Sequence, residues 1–539
     1  VARWLAPGLA AVCFGALLVA IAWLAVEVPL GDDWDELAYL LKAQQQGHLA
    51  VDLLAPHNEH RMVLQRVLLL CGLRLFDGRL VPFQYLQALL SAGTFLLLWR
   101  QARFSQGLAG QAPWPWLPVP LALLVFLTPG QWEVRGFASD PSFAWALCGT
   151  AGLLFAASDE ARRLPWVVAC GLGATFTMAS GLLFWPVAAL ALLVQPDSSR
   201  RARLAVAGLG GAIWIAFLAT WQPAPGQPPL PGLPVAGLYW LAWIGAPLRS
   251  QDVASAAGVG SLGLLAVAVL VHRLRREPRA ALLPWLALSV FTLLGGAASA
   301  VGRAGLGAGQ ALAPRYQGQA YLFWAALLAL LVIDAGRVRR GWMALTATGV
   351  IVVAQAAAWP LALFHWRERS QDLEQARQEL PDVCPGNLEF LRPLYPDPAR
   401  LSALVEDLRA SGVDWPWLAG DGARLVVGGP RPDPAAGRVE GVGWARVQGG
   451  GDAAACLAVG GRVFAATPGA ELALVHQRRV LRRVPIDPQH LVREGRGFWW
   501  SFSVEVAAWR VPETPATLEV VRLAGGRPAL LGSVSLAAP

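Results

Sequence analysis

The chain has 539 residues, 55% of them hydrophobic and 15% charged, with a mean hydropathy of +0.45 and a formal net charge of +8. Soluble domains carry about 25% charged residues, so the composition excludes an ordinary soluble protein. It also argues against a nucleic-acid surface, because the positive charge is dispersed in short clusters between apolar runs. These are Arg100/Arg103, Arg162/Arg163, Arg200/Arg201/Arg203, Arg273/Arg275/Arg276/Arg279 and Arg337/Arg339/Arg340, the pattern of cytoplasmic turns in a polytopic membrane protein.

Runs long enough to cross a bilayer, roughly 20 apolar residues each, recur from Trp4 to Pro360. The first, Trp4–Val26, exceeds a signal-peptide core of about 7–15 residues, although Ala20-Ile21-Ala22 resembles a cleavage site. Spans are expected near 4–26, 81–99, 114–130, 141–157, 164–179, 182–195, 204–221, 256–271, 281–301, 318–334 and 342–360, about eleven in all. With a cytoplasmic N-terminus every arginine cluster falls inside. Segment 27–62, the loops 131–140, 222–255 and 302–317, and everything after 361 then fall outside. Segment 164–195 is read as two short helices meeting near Ser180-Gly181, since a single span would turn the later clusters outward. The proline- and tryptophan-rich stretch Trp221–Trp243 reads either as an outer re-entrant segment or as an aromatic belt.

The expected architecture is an all-α polytopic membrane domain, 1–361, with an outer loop over 27–80. A helical linker follows at 362–420, then a β-sandwich-like domain at 421–539. The linker contains a polar helix over His365–Gln378, a loop around Pro381–Pro385 and a helical Leu401–Ser411. Beyond it, short β-branched and aromatic runs alternate with turn residues: Arg424–Gly428, Ala455–Val459, Gly461–Ala465, Phe498–Val504 and Thr517–Val521. Cys384 and Cys456 are the tail's cysteines, in a compartment that permits a disulfide. Cys13, Cys71, Cys148 and Cys170 lie in or beside spans and read as small core residues.

The most unusual element follows the first span. Gly31-Asp32-Asp33-Trp34-Asp35-Glu36 places four carboxylates within five residues, and ionisable groups at such a place mark a pathway or a site. Leu37, Leu40 and Leu41 recur at helical spacing and Gly47 ends the helix. Asp32, Asp35, Glu36 and Tyr39 share one face. Capping and helix-dipole effects account for one or two of the acids; the remainder point to a general base or a metal ligand. Next comes His57-Asn58-Glu59-His60-Arg61, which opens a partly apolar helix over Met62–Leu75. His57 and His60 at i,i+3 flank Glu59 without making a recognised zinc motif. Metal ligation, substrate contact and interfacial structure all remain open for this cluster.

Asp35-Glu36-x-x-Tyr39, the later Gly47, and a proline and polar cluster before the next helix resemble the first outer loop of GT-C membrane glycosyltransferases. The closest likeness is to the bacterial branch related to protein O-mannosyltransferases and lipid A aminoarabinose transferases. Thr177–Pro186 is similar to that family's paired short helices. The chain departs at His57–Arg61, where many relatives carry a Lys-Pro-Pro type segment. The resemblance implies a bacterial inner-membrane enzyme with a polyprenyl-phosphate sugar donor, an envelope glycan, lipid or protein acceptor, and a periplasmic tail. Asp35 matches the family's acidic position, with Asp32, Asp33 and Glu36 as its neighbours, and a carboxylate there would deprotonate the acceptor. The leaving phosphate needs cations, for which Arg135, Arg303 and Arg315-Tyr316 are outer-loop candidates, with His57, Glu59, His60 and Arg61 as further substrate contacts. No cofactor is required by this chemistry; a divalent metal stays open.

Other classes fit less well. A transporter or flippase needs ionisable groups in mid-span and a repeat of one half in the other, and neither stands out. An envelope assembly protein explains the tail but leaves the acidic loop idle. An O-antigen polymerase or ligase shares lipid-linked sugars but does without such a loop.

Overall fold

The computed structural model describes residues 2–539 except 58–59, 129–130, 138–139, 158–162, 196–197, 222–228, 230, 250, 339–340, 381–390, 411–436, 447–454, 465–470, 477–478, 486–491, 495–496, 508–515, 525–526 and 537–539. The chain divides into two compact units, Val1–Ser370 and Gln371–Pro539.

In the first unit, α1 (Ala2–Leu24) is followed by the acidic helix α2 (Asp32–Gln45), a single turn α3 (Leu49–Asp52) and α4 (Val63–Leu75). Then come α5 (Val81–Leu108), α6 (Pro118–Phe126), α7 (Trp132–Gly136), α8 (Ser142–Ala156) and α9 (Leu164–Thr175). A 3-10 turn over Ala179–Leu183 leads into α10 (Phe184–Val194), and α11 (Arg200–Ala219) and α12 (Leu233–Gly245) follow. The last are α13 (Val253–Leu274), α14 (Arg279–Arg303), α15 (Pro314–Arg337) and α16 (Gly341–Glu379).

Each of the eleven expected runs holds a helix, but among the described residues only α1, α5, α11, α13, α14, α15 and α16 are long and apolar enough to cross a membrane. Segment 114–130 keeps only the nine residues of α6, about 14 Å at 1.5 Å per residue, against a hydrocarbon core of about 30 Å. Pro115, Pro118 and Pro129 bracket that run. Segment 164–195 is indeed two helices. A β-carbon at Gly181 would stand 1.9 Å from the carbonyl oxygen of Ala174, so glycine alone lets the chain fold back there.

The expected outer loop 222–255 contains a further apolar helix, α12, whose Tyr239 and Trp243 are fully buried. This corrects the aromatic-belt reading for these two residues. Backbone proximity holds α12 to α13: a β-carbon at Gly245 would lie 1.9 Å from the Ala256 oxygen, and one at Gly260 would lie 2.0 Å from the Leu241 oxygen. Small residues at such crossings are the usual device of membrane helix pairs. The Trp243 ring lies against Gly296 of α14.

Helix α15 is the most enclosed, with 94% of its apolar window buried. Arg315 stands at its first turn. Near its other end Asp334 pairs with Arg273 at 2.9 Å and Arg337 with Glu277 at 3.3 Å. Some 20 helical residues separate the two ends, about 30 Å. The arginine-bearing α13–α14 turn and the Arg315 end therefore lie a bilayer's thickness apart along one helix.

In the second unit, α17 (Pro398–Ala410) covers the expected helix at 401–411. Eight strands form two antiparallel four-stranded sheets, ordered β1-β2-β6-β5 and β4-β3-β7-β8. They are β1 (Gly437–Arg446), β2 (Ala455–Phe464), β3 (Glu471–His476), β4 (Arg479–Pro485), β5 (Val492–Glu494), β6 (Gly497–Ala507), β7 (Ala516–Ala524) and β8 (Arg527–Leu536). The run 455–459 and the part of the run 461–465 up to Phe464 form one strand, β2; Ala465 lies outside the described residues. The expected strand 424–428 and Cys384 lie outside the described residues.

Because backbone rather than side chain faces Gly260, Gly260→Val should lower stability by about 1–3 kcal/mol, the usual cost of overpacking. Gly258→Val, where a β-carbon meets nothing within 4 Å, should be tolerated. Unfolding midpoints of the two purified variants compare them directly.

Candidate functional site

Gly31, at φ 48, ends the approach from α1 and takes the N-cap position of α2, and Gly47 at φ 75 follows its C-terminus. No side chain caps the helix. Asp33 instead turns inward, where it is fully buried and its carboxylate accepts the Leu30 N–H at 3.4 Å. Trp34, Leu37, Leu40 and Leu41 fill the buried side of α2.

The opposite face carries an ion network. Glu36 is buried, and Arg66 of α4 grips it with two hydrogen bonds, Nε to Oε2 at 2.6 Å and Nη2 to Oε1 at 3.0 Å. Arg66 also donates from Nη1 to the carbonyls of Asp52, Leu53 and Ala55 at 2.9, 3.3 and 2.6 Å. It thereby closes the turn after α3. Its guanidinium lies 5.1 Å from the centre of the Tyr39 ring, and the Tyr39 hydroxyl donates to Asp52 at 2.8 Å.

His57 completes the network. Its Nδ1 lies 2.7 Å from Glu36, and its Nε2 lies 3.7 Å from Asp32, an ion-pair rather than hydrogen-bond distance. Burial disfavours the charged ring, but the carboxylates of Asp32 and Glu36 outweigh it and push His57 up to about 10. The reciprocal effects agree. His57 foremost holds Asp32 below its ordinary value, against burial and with help from the charges of His60 and Arg315. Burial pushes Glu36 up, yet His57 and Arg66 together leave it lowered.

The hairpin that carries His57 is pinned on several sides. His57 and His60 exchange backbone hydrogen bonds at 2.9 and 2.8 Å. The Nδ1 of His60 accepts the Ala179 N–H at 3.1 Å, tying the loop to the 3-10 turn before α10. Arg61 donates to the Leu54 carbonyl and to the carbonyl and hydroxyl of Thr220 at the end of α11. Glu59 lies outside the described residues.

The structure thus separates the four acids of α2. Glu36 is enclosed and doubly paired, Asp33 is enclosed on another face, Asp35 is half-buried and Asp32 is exposed. Of the predicted cations, Arg315 reaches this end of the bundle. It pairs with Glu133 of α7 at 3.7 Å, lies 5.4 Å from the Tyr316 ring, and adds to the field at Asp32. Arg303 is felt by Tyr239, whose hydroxyl meets Ser299 at 3.0 Å. The glycine-rich stretch between Arg303 and Arg315 folds as two 3-10 helices, Ala304–Leu306 and Ala308–Leu312, hinged at Gly307 with φ 101.

Arg135 is different. It is fully buried, with Nη2 bonded to Ser91 at 3.2 Å and to Gln131 at 2.9 Å, and its guanidinium centre lies 4.1 Å from the Phe143 ring centre. No described carboxylate forms an ion pair with it. Burial lowers its pKa to about 9, which still leaves it charged at neutral pH.

Arg66 was not among the expected site residues. The only signal was a cation in the first turn of the apolar run Val63–Leu75, which also holds Arg74 near its end, and either arginine reads equally as a snorkelling side chain. Among the described residues no group of three or more His, Cys, Asp or Glu is placed to hold a metal ion. No step is derived through a metal.

The fold and this cluster define a multi-helix membrane protein with an ion-paired acidic helix at one end of its bundle. No protein-family model, no curated protein and no solved structure matches the chain.

Removing Arg66 would leave Glu36 buried with one partner fewer and would take a donor from the carbonyls of Asp52, Leu53 and Ala55. Arg66→Ala should cost about 3–5 kcal/mol, and Arg66→Lys should recover only part, because an ammonium cannot reproduce the forked contact. Denaturation of the purified variants measures both.

The pH response has a defined sign. The raised His57 pKa contributes stability that is fully present below the unfolded value of about 6.5 and is lost as pH rises through about 10. The lowered Asp32 and Glu36 contribute above their unfolded values, about 3.9 and 4.3, and lose that contribution on acidification. The unfolding midpoint should fall between pH 6.5 and 10, and His57→Gln should flatten that limb.

Proposed function

We propose that the protein is a GT-C-type glycosyltransferase of a bacterial inner membrane. It takes a sugar from a polyprenyl-phosphate donor and passes it to a hydroxyl of an envelope glycan, lipid or protein on the outer face. The observation that carries this reading is the buried Glu36–Arg66–His57 network of α2, which leaves Asp32 exposed and Asp35 half-buried on the same helix.

The chemistry places specific demands on that arrangement. The acceptor hydroxyl gives its proton to a carboxylate while its oxygen bonds to the anomeric carbon. The bond from that carbon to the phosphate oxygen breaks, and its electron pair leaves with the lipid phosphate. Asp35, half-buried on α2, is the base in this scheme, with exposed Asp32 as the neighbour that can replace it. Glu36, held by Arg66 and His57, serves to position α2. Arg315 neutralises the charge that develops on the phosphate, which must draw it away from Glu133. A fixed cation at His57 adds positive potential beside Asp32.

The orientation follows the arginine clusters: N-terminus in the cytoplasm, acidic helix and tail outside. The Arg273–Glu277 turn and Arg337 at the far end of α15 support it, since they separate basic and acidic ends by about a bilayer thickness.

Sugar release from a polyprenyl-phosphate donor by the purified protein tests the reading. Asp35→Asn should slow turnover at least roughly 100-fold without loss of folding; full activity in both Asp35→Asn and Asp32→Asn would remove the catalytic role of the loop. Arg315→Ala should impair use of the donor more than use of the acceptor, and lysine there should restore it partly. For orientation, cysteines placed singly at Gln45 and Leu306 in a thiol-free background should react with an impermeant reagent in intact spheroplasts. One at Ser199 should react only after lysis.

A further inference from the structure

We propose that the turn between α13 and α14 is a docking surface for an anionic phospholipid, with the phosphate head on Arg275, Arg276 and Arg279 and an acyl chain along the exposed face of α13. The proposal stands apart from the glycosyl-transfer reading. It rests on which charges at this end of the bundle are already matched.

Segments 272–279 and 334–337 hold five arginines and two carboxylates. Both carboxylates are taken. Asp334, fully buried, pairs with Arg273 at 2.9 Å, and Glu277 pairs with Arg337 at 3.3 Å. Arg337 also donates to the Arg273 carbonyl, which ties the turn to the end of α15. Arg275, Arg276 and Arg279 are left over. All three are exposed, and none forms an ion pair among the described residues. Three like charges within five residues repel one another, and an anion seated among them would relieve this. Guanidinium forks match phosphate oxygens. Three of them exceed what one singly charged head requires, so a lipid with two phosphates should bind most tightly.

The helix that leads to the turn makes the occupant a lipid. α13 buries 28% of its apolar window, against 94% for α15. Leu262, Leu265 and Val269 fall at i, i+3 and i+7 and so share one face; they are 67%, 60% and 46% exposed. His272, also exposed, extends that stripe towards the arginines. Arg275 stands 13 residues beyond Leu262, about 20 Å at 1.5 Å per residue. One leaflet with its headgroups is about as thick. A molecule lying on this face therefore meets a leaflet's depth of apolar surface and then a group of cations. A soluble anion would use the cations and leave the stripe bare. A zwitterionic lipid brings its own ammonium to the unmatched guanidiniums, which repel it. The start of α11 offers a comparison: Arg200 and Arg201 are exposed there, but Arg203 is engaged by the Ser198 hydroxyl and the Gln195 carbonyl.

The test titrates the full-length protein, in a non-ionic detergent, with cardiolipin, phosphatidylglycerol and phosphatidylcholine of the same acyl chains, and counts bound lipid by native mass spectrometry. Cardiolipin should bind most tightly and phosphatidylcholine least, and high salt should narrow the gap. Arg275→Gln, Arg276→Gln and Arg279→Gln combined should weaken cardiolipin binding at least roughly tenfold. Each single replacement should give a smaller loss in the same direction, which keeps the test valid if the triple variant folds poorly. Arg200→Gln with Arg201→Gln should leave cardiolipin binding unchanged. Equal affinity for phosphatidylcholine would overturn the proposal, as would cardiolipin binding that survives the three replacements. An equal loss from the Arg200 and Arg201 replacements would overturn it too, because attraction would then be spread over all the basic turns. Displacement of cardiolipin by inorganic pyrophosphate at equal concentration would overturn the lipid as occupant. Binding is read without any sugar transfer, so the result does not depend on the catalytic reading.

Discussion

The end of the bundle that carries α2 is organised around the contact between Glu36 and Arg66. Both side chains are withdrawn from water, which costs several kcal/mol per ion before any attraction is counted. The forked geometry and three additional carbonyl acceptors offset that cost. One guanidinium thereby fixes three things: α2 against α4, the turn after α3, and, through Glu36, the ring of His57. Asp32 and Asp35 project from a helix whose position is set from beneath. A site that stabilises developing charge needs such prior ordering, because dipoles and ions that must reorganise during the reaction contribute far less.

Much of this was legible in the sequence. The glycines at 31 and 47, the apolar stripe of Leu37, Leu40 and Leu41, and the polar segment before Met62 delimit the two helices with little ambiguity. The grouping of Asp32, Glu36 and Tyr39 on one face follows from helical periodicity alone. The partner of Glu36 does not follow, because it lies 30 residues away and the pairing depends on how α4 docks. The uses of His60 and Arg61 were equally hidden. Their contacts are a backbone amide before α10 and the last turn of α11, positions that only the assembled bundle brings near.

The helices illustrate the same boundary between local and tertiary information. Apolar runs identify helices well, since backbone groups away from water must satisfy one another. They do not specify length once prolines intervene, as α6 shows, nor do they reveal a buried helix that follows a stretch of sequence as rich in proline as 222–234. What makes α12 possible is written elsewhere in the chain, in Gly260 of α13 and Gly296 of α14, whose missing side chains provide the space it occupies. The Gly181 fold-back is the opposite case, because a glycine between two apolar runs is a local signal and was read as a break.

The enclosure of α15 has a consequence for how the protein is made. This helix is nearly central in its unit, yet it comes after fourteen others in the chain. Its first turns carry Arg315 and the buried Gln317 and Gln319, and its end carries the buried Asp334. On emerging, it presents polar groups that lipid cannot accommodate cheaply. Its neighbours α5, α8, α13 and α14 can bury their faces against it only once the chain has been made as far as residue 337, and the acidic helix near the start of the chain obtains the field of Arg315 no earlier.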